Sequence, residues 1–253
     1  MASKMLGETK GPFIVWLFFT LYFAIPILFG GSSSGTLPQD VTISIVLGLL
    51  IGVAIGWGGI LVFLVIFLAL WEKRRSLREI FSSVGLRRTG SVKSVLWSFA
   101  LLPLIIAISL LGMMVLSHFL GPIPSAVSDS VQFPTWYIWY MVMYSFFPVA
   151  VLEETTARGY MLDRLVPQHP SSLVKALPAM LLSSLLMTLW HVPAYLRVYA
   201  FPIPWIIGRL AGNVFPTSLI LSIAYVRART RNIIGPVLIH FLLDAMPIIL
   251  MLA

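Results

Sequence analysis

Long apolar runs separated by short polar segments organise this chain. A bilayer-crossing helix needs roughly 20 mostly apolar residues. The runs Pro12–Phe29, Val41–Leu70, Val95–Ser117, Trp136–Leu152 with its continuation, Pro178–Leu196, Ile203–Val226 and Asn232–Leu250 fit that length. The pattern predicts an all-α, polytopic transmembrane helical bundle of about seven spans, or eight. Lys4 and Lys10 precede the first run and the small residues Gly30–Gly35 follow it, as in a signal peptide. Its apolar stretch is long for a cleaved segment, so a retained signal anchor is expected. The second run exceeds one crossing and must tilt, protrude or bend. Residues 1–253 read as a single integral membrane domain, with a motif-bearing core at about 136–250.

The polar segments orient the runs. Trp71–Ser94 carries Lys73, Arg74, Arg75, Arg78, Arg87, Arg88 and Lys93, and the turn after the sixth run carries Arg227, Arg229 and Arg231. Gly30–Asp40 and Phe119–Thr135 hold no Lys or Arg. Alternating crossings then put the N-terminus in the cytoplasm and the C-terminus outside. Within the basic segment, Leu77, Ile80, Phe81 and Val84 recur at helical spacing and Gly85 is a stop signal. A short helix on the cytoplasmic membrane surface is expected there. Gly48, Gly52 and Gly56 line one face of the second run, and close packing within the bundle explains them more simply than a dimer seam.

Composition sharpens this picture. Of 253 residues, 59% are hydrophobic and 10% charged, against about 25% charged in soluble domains. Lipid is the partner that accepts so much apolar surface. The absence of cysteine excludes disulfides and thiolate zinc sites. The net charge of +8 is clustered in loops, where orientation explains it, and no nucleic-acid partner is expected.

Ionisable groups inside apolar spans mark the chemistry, because each costs several kcal/mol unless paired. Three places stand out. The first is VLEETTARGYMLDRL, with Glu153, Glu154 and Arg158. Apart from Pro148 and Gly159, no breaker interrupts the stretch from Trp136 to Pro167, so one long helix is expected to run through it. Glu154 would then lie about 18–20 Å from Pro167. Glu154 and Arg158 have the spacing of an intrahelical ion pair, while Glu153, turned by about 100°, faces another neighbour. The second is MTLWHVP, where Pro193 should kink the helix beside His191 and free a carbonyl. With a start near Pro178, His191 lies about 20 Å along that helix. The third is HFLLD, which stacks His240 and Asp244 on one face of the last helix. Those two lie about 12 and 18 Å from Asn232.

Singly, each place also reads as a structural hydrogen bond or a charged helix end. Together they project to similar depths, in the cytoplasmic half of the membrane, and could share one water-filled cavity. A carboxylate beside a histidine can activate water, and further donors can stabilise an oxyanion. There is no GxSxG, HExxH or P-loop, so serine hydrolase, zincin and nucleotide readings have no support.

These motifs resemble those of the CPBP membrane peptidases, also called the Abi or CAAX amino-terminal protease family, which include the type II CAAX prenyl endopeptidases. The resemblance covers roughly Trp136–Leu250. The family's EExxxR appears at Glu153–Arg158, its FxxxH at Met187–His191 with Met for Phe, and its HxxxN or HxxxD at His240–Asp244. AYVRARTRNIIGPVLIH, running into the third motif, also matches. An ionised Asp244 accepts but does not donate, so it would serve an oxyanion only when protonated or through His240.

The resemblance implies that Glu153 is the general base, sharing a water with His191, and that His240 with Asp244 polarises the scissile carbonyl. It implies that Glu154 and Arg158 hold the helix and its carboxylates in place. The implied reaction is intramembrane endoproteolysis of a membrane-tethered, prenylated CAAX-type polypeptide from the cytoplasmic side. The family has been viewed both as metal-dependent and as glutamate-activated. No tightly bound cofactor is expected; were zinc bound, His191, His240, Glu153 and Asp244 would be its ligands. Two other classes stay open: a non-catalytic membrane scaffold or sensor of the same family, and a transporter or proton relay. The relay would need polar residues reaching both faces, whereas Arg209 and Asn213 stand apart in the outer half of the sixth run.

Overall fold

A computed structural model describes residues 10–21, 58–74, 76–122, 135–166, 172–197 and 202–250. Its helices are α1 (Lys10–Leu21), α2 (Gly58–Leu70), α3 (Leu77–Ser83), α4 (Ser91–Leu120), α5 (Thr135–Leu165), α6 (Leu173–Leu196), α7 (Ile203–Ala228) and α8 (Ile234–Ile249). There is no strand among the described residues. The all-α expectation holds. The first two apolar runs are described only in part, as α1 and α2, and Gly48, Gly52 and Gly56 lie outside the described residues. Among the described residues, four helices, α4 to α7, are long and apolar enough to cross a membrane.

The outer surface is that of a membrane protein. Leu110, Leu111, Met114 and Phe119 of α4 and Met143 and Phe147 of α5 are exposed. Water would oppose so large an apolar face, whereas lipid accepts it. Among the described residues, three apolar clusters hold the bundle. Phe19, Leu68, Ile80, Tyr160 and Met187 join α1, α2, α3, α5 and α6. Leu162, Met180, Tyr225 and Val237 join α5 to α8. Ile105, Leu221 and Ile239 join α4, α7 and α8. α5 contributes to the first two clusters on different faces, and every residue from Leu152 to Asp163 is buried.

The long helix expected through the acidic motif is present, with two wide π-helical stretches, Ser145–Ala150 and Thr155–Leu162. Each contains one of the breakers seen in the sequence. Pro148 lacks an N–H and so cannot complete the regular helical ladder, a gap that a wider turn accommodates. At Gly159, a Cβ would lie 2.0 Å from the carbonyl oxygen of Val84. Only glycine lets the end of α3 dock onto the backbone of α5. The carbonyl of Ala157, in the second wide stretch, accepts a 3.0 Å bond from Ser183 Oγ of α6. On the far side, α4 and α7 cross where a Cβ on Gly112 would lie 2.4 Å from Gly212 O, the close approach that small residues permit between membrane helices.

The short helix in the basic segment forms as predicted. Ser76 caps it through a bond from Glu79 N, and Gly85 ends it at φ +80°. Its apolar face is divided: Ile80 and Val84 are buried in the bundle, while Leu77 and Phe81 stay exposed. α6 begins at Leu173, five residues before the expected start, and Pro178 sits inside it. The segment after α3 is tied to the start of α8. Asn232 Nδ2 donates to the carbonyls of Arg87 and Thr89, and Ser94 Oγ donates to Asn232 O at 2.7 Å. Arg231 and Tyr225 reach Asp163 at the end of α5. The basic segment, the α7–α8 turn and the end of α5 therefore lie at one end of the bundle.

Candidate active site

Glu153 and Glu154 lie between the two wide stretches of α5, 7% and 0% exposed. Adjacent helical residues point about 100° apart, and the two carboxylates do face different partners. Glu154 Oε1 accepts from Arg158 Nη1 at 2.7 Å. Arg158 Nη2 also donates to the hydroxyl of Ser218 at 2.7 Å and to its carbonyl at 2.8 Å. The pair expected from the spacing is thus real, buried, and pinned to α7.

His191 marks a turn within α6. Its backbone N–H bonds to Thr188 O at 3.1 Å, and its ring Nδ1 lies 2.9 Å from Met187 O. A carbonyl can only accept, so Nδ1 carries the proton and Nε2 is the free ring position. Pro193 explains the local break, and a carbonyl in the break orients the histidine ring. Nε2 lies 3.8 Å from Glu153 Oε2.

His240 and Asp244 share one face of α8, with His240 Nε2 3.4 Å from Asp244 Oδ2. The other ring nitrogen, Nδ1, lies 2.8 Å from Glu154 Oε1, a contact the sequence did not suggest. His240 Nε2 is also 3.8 Å from Glu153 Oε2. Glu153 Oε2 therefore stands equally far from two imidazole nitrogens on two other helices. It has no hydrogen-bond partner among the described residues. At 3.8 Å neither contact is a direct bond, and the separation is of the size a single bridging water spans.

Glu153, Glu154, Arg158, His191, His240 and Asp244 are thus brought together from α5, α6 and α8. Arg209 is not among them: Nη1 contacts Met113 Sδ at 3.5 Å and the guanidinium lies 5.9 Å from the centre of the Tyr195 ring. Ser218 is the anchoring residue that sequence reasoning missed. A serine in an apolar span reads as packing, and only the fold puts it against Arg158.

Zinc requires ligand atoms about 2.0–2.2 Å from one centre. Among the described residues, no group of three or more His, Asp or Glu side chains is arranged to hold a metal ion. His240 Nδ1 is already engaged by Glu154 and His191 Nδ1 by a carbonyl, which leaves one nitrogen of each ring to the cavity.

Residues 134–246 match the family model described as type II CAAX prenyl endopeptidase Rce1-like. The matched segment holds every residue of the cluster just described. No curated protein and no solved structure matches the chain.

Proposed function

Through residues 134–246 the chain belongs to the type II CAAX prenyl endopeptidase Rce1-like family, and we propose that it is an intramembrane endopeptidase that works by glutamate-activated water. The observation that carries this reading is Glu153 Oε2, buried, without a hydrogen-bond partner among the described residues and 3.8 Å from both His191 Nε2 and His240 Nε2. A water held between Glu153 and His191 donates one hydrogen bond to each acceptor, which turns its lone pair toward a substrate carbonyl. As its oxygen bonds to the carbonyl carbon, Glu153 takes the proton. His240, as the imidazolium, donates from Nε2 to the developing oxyanion. Asp244 and Glu154 balance its charge. Collapse of the intermediate breaks the C–N bond, and the proton held by Glu153 passes to the leaving amine. Glu154, Arg158 and Ser218 position the helix and do not touch the reacting atoms. No step is routed through a metal.

The substrate follows from the setting. The site lies in a bundle whose outer face suits lipid, and its basic segments favour the cytoplasmic side by the positive-inside rule. A soluble peptide gains nothing by entering such a site. A lipidated one is retained, because each buried methylene contributes about 0.8 kcal/mol. A polypeptide with a prenylated, CAAX-like C-terminus, presented from the cytoplasm, is the substrate class we assign. The test uses matched farnesylated and unmodified peptides offered to the protein in liposomes of known orientation. Faster cleavage of the lipidated peptide from the cytoplasmic face supports the assignment. Equal rates, or cleavage from the outer face alone, would overturn it.

A further inference from the structure

At the end of the bundle where the basic segments meet lies a cavity of about 370 Å³, within the size range of ligand pockets. Arg74, Arg78, Arg87, Arg164 and Arg231 line it. It is separate from the candidate active site: Asp163 on its wall is ten residues from Glu153, about 15 Å along α5. Part of the positive charge is already balanced. Glu72 takes two bonds from Arg164, Nε to Oε1 at 2.9 Å and Nη2 to Oε2 at 2.7 Å, and lies 3.5 Å from Arg74. Asp163 accepts from Arg164 Nη1 at 3.0 Å and faces Arg231 Nε at 3.4 Å. Glu79 adds a further negative charge.

Five arginines against three carboxylates leave a surplus of two positive charges. Arg78 and Arg87 make no ion pair with any described residue. The Nε of Arg87 is moreover buried without a hydrogen-bond partner among the described residues, an arrangement that costs free energy unless a ligand or water supplies the acceptor. The backbone around Arg87 is fixed in advance, since the Asn232 amide holds the carbonyls of both Arg87 and Thr89. Two guanidinium groups without ion pairs, one of them on a fixed backbone, match the oxygens of a phosphate group.

The surroundings say what carries the phosphate. Leu70 and Trp71 on the stretch leading to Arg74, and Leu77 and Phe81 on the helix that bears Arg78, are all exposed. Cations lining the cavity and exposed apolar side chains on the same segments suit an amphiphile, not a free ion. Basic pockets at the cytoplasmic ends of membrane helices bind anionic lipid headgroups in this way. We propose that this cavity is a binding site for the phosphate headgroup of an anionic phospholipid, whose acyl chains lie along Leu70, Trp71, Leu77 and Phe81.

The test does not depend on peptide cleavage. Purified full-length protein is titrated with phosphatidylglycerol, with phosphatidylcholine of the same acyl chains, and with inorganic phosphate, and bound lipid is counted by native mass spectrometry. Phosphatidylglycerol should bind at least about tenfold more tightly than phosphatidylcholine. R78Q alone should weaken that preference, and R78Q/R87Q should abolish it. A control pair that removes the same charge outside the cavity, R88Q/K175Q, should keep the preference. Thermal unfolding in the same detergent checks that each variant is folded, and R78Q, on an exposed residue, keeps the test valid if the double variant is not. Equal binding of both lipids, an undiminished preference in folded R78Q, or an equal loss in the control pair overturns the proposal. Inorganic phosphate binding as tightly as the lipid also overturns it, by assigning the site to a soluble anion.

Discussion

Glu154 and His240 meet through a 2.8 Å contact between Oε1 and Nδ1, across two helices. The same oxygen accepts from Arg158, which is 1% exposed and reaches Ser218 on a third helix. One buried carboxylate thus ties α5, α7 and α8 together and sets the ring of His240. Glu154→Ala would leave the Arg158 charge buried and unpaired, which costs about 3–5 kcal/mol. The variant should unfold at markedly lower temperature, and adding Arg158→Leu should restore part of the loss. Thermal unfolding of the two single variants and the double variant reads this directly. Additive losses would contradict the coupling.

Asp244 is 40% exposed at its side chain and 3.4 Å from His240 Nε2. Partly exposed pairs contribute up to about 1 kcal/mol, or about fivefold in rate. Asp244→Ala should therefore lower kcat by about that factor, while Asp244→Asn keeps an acceptor for Nε2–H and should lower it less. A loss for Asn as large as that for Ala would show that the charge of Asp244, not its hydrogen bond, matters.

The link between the α2–α3 segment and the end of α5 depends on pH. Burial pushes the Glu72 carboxyl up, but the bonds and charge of Arg164 outweigh it, and Glu72 is held below its ordinary value. A carboxyl depressed by folding stabilises the fold fully above its unfolded value and loses that contribution as pH falls through its folded one. The stability difference between the protein and its Glu72→Gln variant should therefore be constant from about pH 7 to 6 and smaller near about pH 4. Melting curves at these values test it, and a difference that grows on acidification would contradict it.

Packing between α4 and α7 is asymmetric. A Cβ on Gly112 meets Gly212 O at 2.4 Å, whereas a Cβ on Gly212 meets Gly112 Cα at an ordinary 3.6 Å. Gly112→Ala should destabilise by about 1–3 kcal/mol, the usual cost of overpacking, while Gly212→Ala should be close to neutral. Equal melting temperatures for the two variants would show that the helices separate freely.

Much of this arrangement is legible in the sequence. Helix class, the long helix through Glu153, the Glu154–Arg158 pair and the stacking of His240 on Asp244 follow from spacing alone, because helical periodicity fixes which residues share a face. The break at His191 follows from Pro193. What spacing does not carry is the join between elements. The Glu154–His240 contact, the Ser218 anchor and the Glu72–Arg164 bridge each link residues distant in sequence. The wide turns at Pro148 and Gly159 are local, yet the sequence marks only a breaker there. Whether a helix ends or widens depends on what packs against it, as Val84 does at Gly159.

The most direct test of the account is cleavage of a farnesylated peptide by the protein and by its Glu153→Gln variant, both in liposomes and both shown to be folded. Glutamine keeps the shape of the side chain and its place 3.8 Å from the two imidazoles but cannot take a proton from water. The account predicts that the variant retains substrate binding and loses about 10²–10⁴-fold in kcat. Cleavage by Glu153→Gln at the rate of the unaltered protein would contradict it.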